Sequence, residues 1–378
     1  MYYNKFQDIE LSALGLGCMR LPVIDGDNSK PDAAAVEEMV AYAMENGINY
    51  YDTAWGYHSG NSEIVIGAAL AKYPRESFYL ASKFPGYDLS NMDKVEEIFE
   101  KQLEKCKVDY FDFYLFHNVC EMNINQYLDP KYGIYNYLIL QKNNGRIKHL
   151  GFSAHGSYEV IERFLKAYGA DMEFCQLQIN YIDWEFQNAV KKVELVKSYG
   201  IPVFVMEPVR GGKLAGLDAH YEAKLKEMRP GESVVAWAFR FLQSIDATVV
   251  LSGMSDFEQL KQNIEIYSEK KPLDENEMKT LLGIARDMVN PKTVPCTACR
   301  YCTSHCPMEL DIPFLLSLYN EHFYSDGGFI APMALMSLSE DKQPSACIGC
   351  GSCEEVCPQQ IKIPEALASF CEILNGGE

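Results

Sequence analysis

INYYDTAWGY, residues 48–57, is a short apolar run that turns polar at Asp52 and then reaches Tyr57. Short apolar runs of this kind recur through about the first 290 residues, separated by segments with helical periodicity. The other runs are SALGLGCM, SFYLASKF, YFDFYLFHN, IKHLGFSAH, FCQLQINY, IPVFVMEP and ATVVLSGM. Eight strands that alternate with helices over this length predict a (β/α)8 barrel.

One segment between the strands, VEEIFEKQLEKC at residues 95–106, shows the helical pattern clearly. It places Val95, Ile98, Phe99, Leu103 and Cys106 on one face. A doubly wound sheet is the alternative fold for alternating strands and helices. That fold would carry G-x-G-x-x-G at its first strand, whereas GLGCMR lacks the third glycine. The barrel is therefore the preferred prediction.

Four polar residues lie at or just after predicted strand ends. Asp52 ends the second strand and Tyr57 follows it, Lys83 lies at the end of the third strand, and His117 ends the fourth. Active sites of such barrels form at the carboxyl ends of the strands, and neighbouring strands lie about 4.8 Å apart. Taken singly, a polar residue at a strand end is more often structural. The four together predict a catalytic site at the barrel mouth.

Eight of the 13 cysteines fall in two runs near the end of the chain, CTACRYCTSHCP and CIGCGSCEEVCP. Each run reads C-x2-C-x2-C-x3-C-P, the spacing of ligands to 4Fe-4S clusters, and in paired runs the fourth cysteine ligates the other cluster. One predicted ligand set is therefore Cys296, Cys299, Cys302 and Cys357. The other is Cys306, Cys347, Cys350 and Cys353. Zinc is the alternative metal, but a four-ligand site does not explain a third cysteine repeated twice.

The two runs belong to a longer internal repeat, because both continue as C-P-x-x-[LI]-x-I-P. Pro313 and Pro364 suit the first turn of a helix, and segments of helical character follow both. The sequence therefore predicts a small, mostly α-helical cluster domain at residues 290–378, after a barrel at 1–289. This domain is similar to the α-helical ferredoxin type. It carries 11 acidic against 4 basic residues, which favours oxidised clusters of low potential.

Composition excludes some classes of function. The formal net charge of the 378 residues is -19, whereas a nucleic-acid-binding surface requires a basic stripe. The start, MYYNKFQDIE, is not a basic segment followed by an apolar core, and no stretch approaches 18 uninterrupted apolar residues. We therefore expect a cytoplasmic protein that binds neither nucleic acid nor membrane.

The first 285 or so residues resemble the aldo/keto reductases. The stretches that carry the resemblance are GLGCMRLP, YYDTAWGYHSGNSEIVIGAAL, ASKF, DYFDFYLFH, GRIKHLGFSAHG, QLQINY, VMEPVRGGKL and LSGMSDFEQLKQNI. Asp52, Tyr57, Lys83 and His117 match the catalytic tetrad of that family at every position. With its cysteine runs, the chain looks like the ferredoxin-type branch.

The resemblance implies a nicotinamide cofactor and a small-molecule carbonyl substrate. A phenol of pKa about 10 is a weak proton donor at neutral pH. The Lys83 ammonium is expected to lower the pKa of Tyr57, and Asp52 to keep Lys83 charged. His117 is expected to orient the carbonyl or to help relay the proton. The hydride must come from the nicotinamide, because no side chain carries one.

By the same resemblance, eleven positions would contact the cofactor. Those near the nicotinamide are Gly17, Cys18, Met19, Ser153, Gln178 and Met206, with Met206 in place of an aromatic residue. Gly211 and Gly212 of RGGK would offer backbone amides to the pyrophosphate, and Asn263 would hold the adenine. Gly253 and Gln259 stand where NADP-preferring members carry Lys and Arg, so NADP(H) and NAD(H) both stay open.

Three interpretations of the whole chain remain at this point. In the first, the clusters exchange electrons with the nicotinamide site, and a ferredoxin or flavoprotein is the redox partner. In the second, the barrel is an ordinary NAD(P)H-dependent carbonyl reductase and the clusters only brace the tail. In the third, the chain is a cofactor-sensing subunit without activity, against which the intact tetrad counts. No flavin motif is visible, although a flavin would join two-electron and one-electron chemistry.

Overall fold

The computed structural model of the chain describes residues 1–289, 293–296, 300, 302–325, 327–357 and 359–374. The chain folds as two compact units, Met1–Leu282 and Gly283–Glu378. The division lies inside the helix Glu275–Val289, so the boundary between residues 289 and 290 stays a prediction. Every described helix is too short or too polar to cross a bilayer.

The first unit opens with an antiparallel hairpin, β1 at Tyr3–Phe6 and β2 at Ile9–Ser12, which sequence analysis missed. Eight strands then close into a parallel barrel, which confirms the predicted fold and excludes a doubly wound sheet. These strands are β3 Leu14–Gly17, β4 Tyr50–Asp52, β5 Tyr79–Phe84, β6 Phe111–Val119, β7 Ile147–Ala154, β8 Cys175–Gln178, β9 Val203–Met206 and β10 Val250–Gly253. The barrel closes where β10 pairs with both β3 and β9.

Helices connect the strands on the outside. In chain order, the helices of the first unit up to the division are α1 Ala33–Glu45, α2 Ser62–Leu70, α3 Val95–Cys106, α4 Ile124–Leu128, α5 Ile134–Asn143, α6 Tyr158–Tyr168, α7 Asp183–Phe186, α8 Ala189–Ser198, α9 Ala219–Met228, α10 Val234–Ser244, α11 Phe257–Ile266 and α12 Glu275–Val289. The predicted face of α3 is confirmed, because its five apolar positions are all buried.

The barrel interior is filled by aromatic rings around Phe113. The centre of the Phe113 ring lies 5.4 Å from Phe6, 5.0 Å from Tyr50, 5.1 Å from Phe174 and 5.8 Å from Phe204. These side chains are 2% exposed or less. Because Phe6 belongs to β1, the hairpin contributes a ring to the same core and closes the barrel at the end opposite the strand carboxyl termini. Burying large rings stabilises the barrel through area removed from water.

The second unit is helical, and its described part contains no strand. After α12 come α13 Ile312–Tyr324, α14 Ile330–Leu335, α15 Ser352–Glu355 and α16 Ile363–Leu374. As predicted from the two prolines, α13 and α16 begin within a residue of Pro313 and Pro364. The apolar core includes Leu315, Leu316 and Phe370, and the cysteines Cys302 and Cys353 are buried within it.

The sequence repeat of the second unit produces a repeated backbone pattern. The Glu309 amide donates to Cys306 O, and the Gln360 amide donates to Cys357 O, over 2.9 and 3.0 Å. Three residues further on, the Ile312 amide donates to Leu310 O and the Ile363 amide donates to Ile361 O, both over 2.9 Å. Glu309 and Gln360 both adopt left-handed φ, at 52° and 54°. Equivalent sequences therefore fold into equivalent turns, each leading from a cysteine into a helix.

Candidate active site and cysteine pocket

Strand register brings the predicted site residues together at the barrel mouth. Gly17, the last residue of β3, pairs with Asp52 of β4 on one side and Gly253 of β10 on the other. Gln178 and Met206 pair in the same way at the ends of β8 and β9. Since parallel strands end at one edge, residues far apart in sequence share one surface.

Asp52 and Lys83 form a buried ion pair on β4 and β5. Lys83 Nζ lies 2.5 Å from Asp52 Oδ1, and the two side chains are 1% and 5% exposed. Lys83 also donates to the Thr53 carbonyl over 2.9 Å. The second oxygen of Asp52 accepts a bond of 2.6 Å from Gln176 Nε2 across the barrel. Both charges therefore have hydrogen-bonding partners, as buried charges require.

Tyr57 reaches this pair from the turn that follows β4. Its hydroxyl lies 3.5 Å from Lys83 Nζ, and the Lys83 ammonium lies 5.0 Å from the centre of the Tyr57 ring. The turn spans Tyr57–Gly60, with left-handed φ at His58, Ser59 and Gly60. This sharp reversal returns the chain to the barrel mouth, so the phenol points back at a residue on the next strand.

His117 completes the predicted tetrad by facing Tyr57. The two rings meet edge to face with centres 6.0 Å apart, and Tyr87 meets His117 from another side at 5.2 Å. The pairing of β6 with β7 shifts register between Phe116 and Val119, and Asn118 has a φ of 61°. Such irregularities re-aim a side chain, and this one lies beside His117. His117 Nδ1 has no hydrogen-bond partner among the described residues.

The pKa of Tyr57 is set by opposing influences. Burial raises it and prevails, although the Lys83 ammonium lowers it as expected from the sequence. For Lys83 itself burial opposes the charged form, but Asp52 and Tyr57 outweigh that penalty, so the pKa of Lys83 is raised. The structure therefore holds a protonated lysine beside a protonated phenol.

Both histidines at the mouth stay neutral at neutral pH. Burial and the charge of Lys83 hold the pKa of His117 well below its usual range. Burial and the charge of Lys192 lower the pKa of His155 to about 4. A neutral imidazole offers one donor and one acceptor, so His117 is suited to hydrogen bonding with a substrate oxygen.

The predicted cofactor positions lie around the same mouth but differ in exposure. Cys18 and Ser153 are buried, and Met19 is exposed; Ser153 Oγ accepts from the Asn118 amide over 2.9 Å. Burial raises the pKa of the Cys18 thiol, which is therefore inert. Gly211 and Gly212 have left-handed φ of 65° and 95°, and no atom lies within 4 Å of a Cβ built on Gly212. Open glycines of this kind allow a ligand to approach the backbone.

Three predicted cofactor side-chain amides already donate to protein partners, and the backbone amides of Gly211 and Gly212 likewise donate to Glu207 Oε2 and the Val209 carbonyl. Gln178 donates to Asp183 over 2.8 Å and Asn263 donates to Ser252 Oγ over 3.1 Å. Gln259 donates to Asp256 over 2.7 Å, and Asp256 caps α11 by accepting from the Gln259 backbone. These bonds hold the side chains in place, and they also use donor capacity that was assigned to the cofactor.

Two functional candidates were missed by sequence reasoning: Gln176 and Arg20. Gln176 is a buried polar residue in the strand run FCQLQINY, and its polarity was a usable signal. Arg20 lies across the predicted cofactor surface, with its side chain 3.0 Å from a Cβ built on Gly253. Its guanidinium lies 3.9 Å from Glu207. Nothing in the sequence links Arg20 to residues more than 180 positions away.

Four of the predicted cluster ligands line one pocket of the second unit. Cys306 from the first run and Cys347, Cys350 and Cys353 from the second line the same pocket, which is partly open to solvent. Its other lining residues are mostly apolar, including Met308, Leu310, Ile348 and Leu367. Four thiols in an apolar setting are the ligand set of an iron–sulfur cluster, so the residues fit this group.

Among the described residues, no three His, Cys, Asp or Glu side chains converge as they would on a single ion. The cysteine ligands of a four-iron cluster bind four different irons, so they need not converge in that way. Of the other predicted set, Cys302 is buried, whereas Cys296 and Cys357 are half-buried and pack against the helical core. Cys299 lies outside the described residues.

Comparison with known proteins identifies the chain. The model of the aldo/keto reductase family matches residues 13–286, and the model of a 4Fe-4S dicluster domain matches residues 295–363. The chain belongs to the aldo/keto reductase family and carries an iron–sulfur domain after the barrel. It is an NAD(P)H-dependent oxidoreductase, as predicted from the tetrad and the cysteine runs.

Individual relatives agree with this assignment. The chain is 27% identical over 226 residues to an NADH-specific methylglyoxal reductase of Escherichia coli, covering 55% of this chain and 67% of that protein. It is 26% identical over 315 residues to a probable aldo-keto reductase of Glycine max, covering 73% and 86%. A solved aldo-keto reductase of Bacillus halodurans shares the fold, with a TM-score of 0.62 at 24% identity, over 75% of this chain and 96% of that one.

The neutral histidines predict a pH-dependent stability of the barrel. Unfolded histidine titrates near pH 6.5, whereas the pKa of folded His155 is about 4, so the unfolded chain binds more protons as the pH falls from 7 to 5. Stability should therefore fall over this range, and His155→Gln should reduce the loss by about 1–2 kcal/mol. Urea unfolding at both pH values measures this through the fluorescence of Trp55, Trp184 and Trp237, all in the first unit.

The matched control for this measurement is His220→Gln, at an exposed position on α9. Its loss of stability between pH 7 and 5 should equal that of the parent. An equal loss in His155→Gln and His220→Gln would contradict the neutral state of His155.

Proposed function

We propose that the barrel reduces the carbonyl group of a small molecule to an alcohol. The observation that carries this proposal is the joined arrangement of Asp52, Lys83 and Tyr57, with His117 facing the phenol. Reduction of a carbonyl requires a proton at oxygen when a hydride reaches carbon, and Tyr57 is the proton donor at the mouth. Bound nicotinamide supplies that hydride.

Each member of the tetrad has a separate task under this proposal. Tyr57 gives its hydroxyl proton to the substrate oxygen. The Lys83 ammonium, 3.5 Å away, stabilises the phenolate that remains, and the buried Asp52 keeps Lys83 charged and fixed. Neutral His117 donates a hydrogen bond to the same substrate oxygen and so orients the carbonyl. Because the pair is buried, these interactions act in a medium of low dielectric.

The nicotinamide dinucleotide would lie across the ends of β3, β9 and β10. Gly212 leaves open space where a side chain would be, and Arg20 places a cation beside Gly211 and Gly253. A 2′-phosphate prefers Arg or Lys forks, which Gly253 and Gln259 do not supply. Asp256 puts a carboxylate beside Gln259. We therefore propose modest selectivity between NADP(H) and NAD(H).

The second unit would hold two 4Fe-4S clusters with crossed ligand sets. Cys306 belongs to the first run by sequence but lines the pocket of the second-run cysteines, which supports the crossing. The clusters exchange single electrons when bound. Reduction of one carbonyl consumes two electrons and two protons. Two clusters that give one electron each deliver the required two electrons.

We propose that these electrons are exchanged with the nicotinamide site, with a ferredoxin or flavoprotein as the external partner. Two ligand sets with crossed cysteines support electron transfer over bracing, because bracing needs only one metal. The acidic composition of the domain, with 11 acids against 4 bases, favours a low potential and hence a strong reductant. The alternative is an ordinary reductase whose clusters are structural. Following the cluster spectrum during turnover distinguishes it from electron transfer.

Tyr57→Phe is expected to lower the kcat of carbonyl reduction by about 100-fold or more, since only the proton donor is removed. The Kd of the nicotinamide should change little. Tyr87→Phe is the matched control, because it removes a hydroxyl from the other tyrosine that faces His117. Steady-state kinetics and fluorescence titration measure both quantities. Equal kcat in Tyr57→Phe and the parent would contradict the assignment of Tyr57 as the proton donor.

The anaerobically purified chain is expected to contain about eight iron and eight sulfide per polypeptide, since two four-iron clusters have all their ligands. Cys350→Ala, at an exposed position of the pocket, should lower both contents towards half. Elemental analysis and the visible absorption spectrum measure this. Stoichiometric zinc in place of iron would contradict the cluster assignment.

Coupling is tested by following the cluster spectrum anaerobically during turnover. Addition of NADH or NADPH should bleach the clusters, or a chemical reductant should drive carbonyl reduction without a nicotinamide donor. Cys350→Ala should lose this coupling and keep plain nicotinamide-dependent reduction, because the tetrad lies in the first unit. Clusters that stay oxidised throughout, with normal turnover of Cys350→Ala by every donor, would make them structural.

A further inference from the structure

Helices α2 and α3 meet unusually closely behind the tetrad. A Cβ built on Gly67 of α2 would lie 2.6 Å from the Cα atom of Cys106, so the two backbones touch at this glycine. Glu63 lies one helical turn before Gly67 and is fully buried. The contact therefore sets a carboxylate of α2 against side chains of α3, outside the strand that carries Lys83.

Gln102 of α3 holds the backbone of Lys83. Its Nε2 atom lies 3.0 Å from the Lys83 carbonyl and 2.6 Å from Glu63 Oε1. The Tyr114 hydroxyl donates to Gln102 Oε1 over 2.5 Å, which fixes the orientation of the amide. Ser82, the residue before Lys83, donates to the same Glu63 oxygen over 2.7 Å. The strand position of Lys83 is therefore tied to α2 and α3.

Lys105, one turn along α3 from Gln102, holds the segment that carries Tyr57. Its Nζ atom lies 3.9 Å from the centre of the Trp55 ring and 3.2 Å from the Gly60 carbonyl. It also lies 3.4 Å from Glu63 Oε2. Trp55 and Gly60 flank Tyr57 on either side. The Lys105 ammonium therefore contacts the chain on both sides of Tyr57.

We propose that Gln102 and Lys105, joined through Glu63, are positioning residues that set the distance between the Tyr57 hydroxyl and the Lys83 ammonium. The inference rests on the proposed function, since it assigns these residues to proton transfer from Tyr57. Gln102 fixes the Lys83 side of the pair and Lys105 fixes the Tyr57 side. Gln102 and Lys105 both belong to α3. This one helix therefore positions Lys83 on β5 and Tyr57 in the turn after β4.

The observed geometry explains why this positioning matters. At 3.5 Å, the contact between Tyr57 and Lys83 is at the long limit of a hydrogen bond, whereas Lys83 is fixed tightly to Asp52 over 2.5 Å. The turn at residues 57–60 has left-handed φ at two non-glycine residues, a conformation that persists only where surrounding contacts hold it. Small displacements of catalytic groups cost large factors in rate. Tyr57, the less tightly bonded partner of Lys83, is therefore the residue whose segment Lys105 contacts.

The test replaces Lys105 by Met, which keeps the length of the side chain and removes its charge. Lys101→Met is the matched control, one turn earlier on the same helix, where Lys101 is exposed and pairs only with Glu97 among the described contacts. Lys105→Arg is the conservative rescue, since a guanidinium also stacks on Trp and donates to a carbonyl. Gln102→Met tests the contact with the Lys83 backbone. Circular dichroism checks that each variant barrel is folded.

Lys105→Met should lower kcat for carbonyl reduction by about tenfold and leave the KM of the nicotinamide within about twofold, since the cofactor surface is untouched. Gln102→Met should behave in the same way, Lys105→Arg should recover most of the rate, and Lys101→Met should match the parent. A general loss of stability would instead lower the folded fraction of the enzyme, and circular dichroism would detect this. Equal kcat in Lys105→Met and Lys101→Met, or no recovery in Lys105→Arg, would overturn the proposal.

Hydrogen exchange provides a readout that does not depend on activity. The peptide covering residues 53–61 should exchange faster in Lys105→Met than in Lys101→Met, because the contacts of Lys105 with Trp55 and the Gly60 carbonyl are lost. If the parent reduces no carbonyl, the proposed function fails, and the exchange result alone decides whether Lys105 holds the turn. Identical exchange of this peptide in the two variants would overturn the inference.

Discussion

The buried pair of Lys83 and Asp52 is the interaction on which the barrel mouth depends. Two charges removed from water destabilise a fold unless each finds partners, and loss of one partner from such a pair costs about 3–5 kcal/mol. Here the partners come from three segments: Gln176 from β8, the Thr53 carbonyl after β4, and Tyr57 from the following turn. Satisfying these charges therefore fixes the relative positions of strands on opposite sides of the barrel.

The same burial decides the protonation states at the site. It raises the pKa of Tyr57 despite the adjacent ammonium, and it lowers the pKa of His117. Both groups are therefore neutral hydrogen-bond donors near neutral pH, while Lys83 keeps its charge because Asp52 is adjacent. A phenol and an imidazole of this kind complement a carbonyl oxygen, whose charge becomes negative as it accepts a hydride.

The second unit is small, and its cysteines lie in and around its helical core. Buried Cys302 and Cys353 occupy equivalent places in the repeat, and turns that begin at Cys306 and Cys357 lead into α13 and α16. Metal binding contributes directly to the folding free energy of small domains. Cys306 of the first run lines the same pocket as three cysteines of the second, so this pocket joins the two halves of the repeat.

The sequence by itself determined the features that depend on local pattern. Apolar runs predicted all eight barrel strands, periodicity predicted the buried face of α3, and cysteine spacing predicted the iron–sulfur domain that the family comparison supports. The tetrad was predicted too, because strand ends share one edge of a barrel. The hairpin β1–β2 was missed, since its short strands alternate too little to stand out from a loop.

Only the tertiary structure decided the long-range contacts and the balance of burial against charge. Gln176 meets Asp52 across 124 positions of sequence, and Arg20 lies beside Gly253, contacts that no local pattern encodes. The sequence indicated that Lys83 lowers the pKa of Tyr57, but the net direction depends on how much water the fold removes. Likewise, Gln259 was a predicted cofactor contact, yet in the structure its amide donates to Asp256. Charge is a property of residues, whereas desolvation and competition for hydrogen bonds are properties of the packed chain.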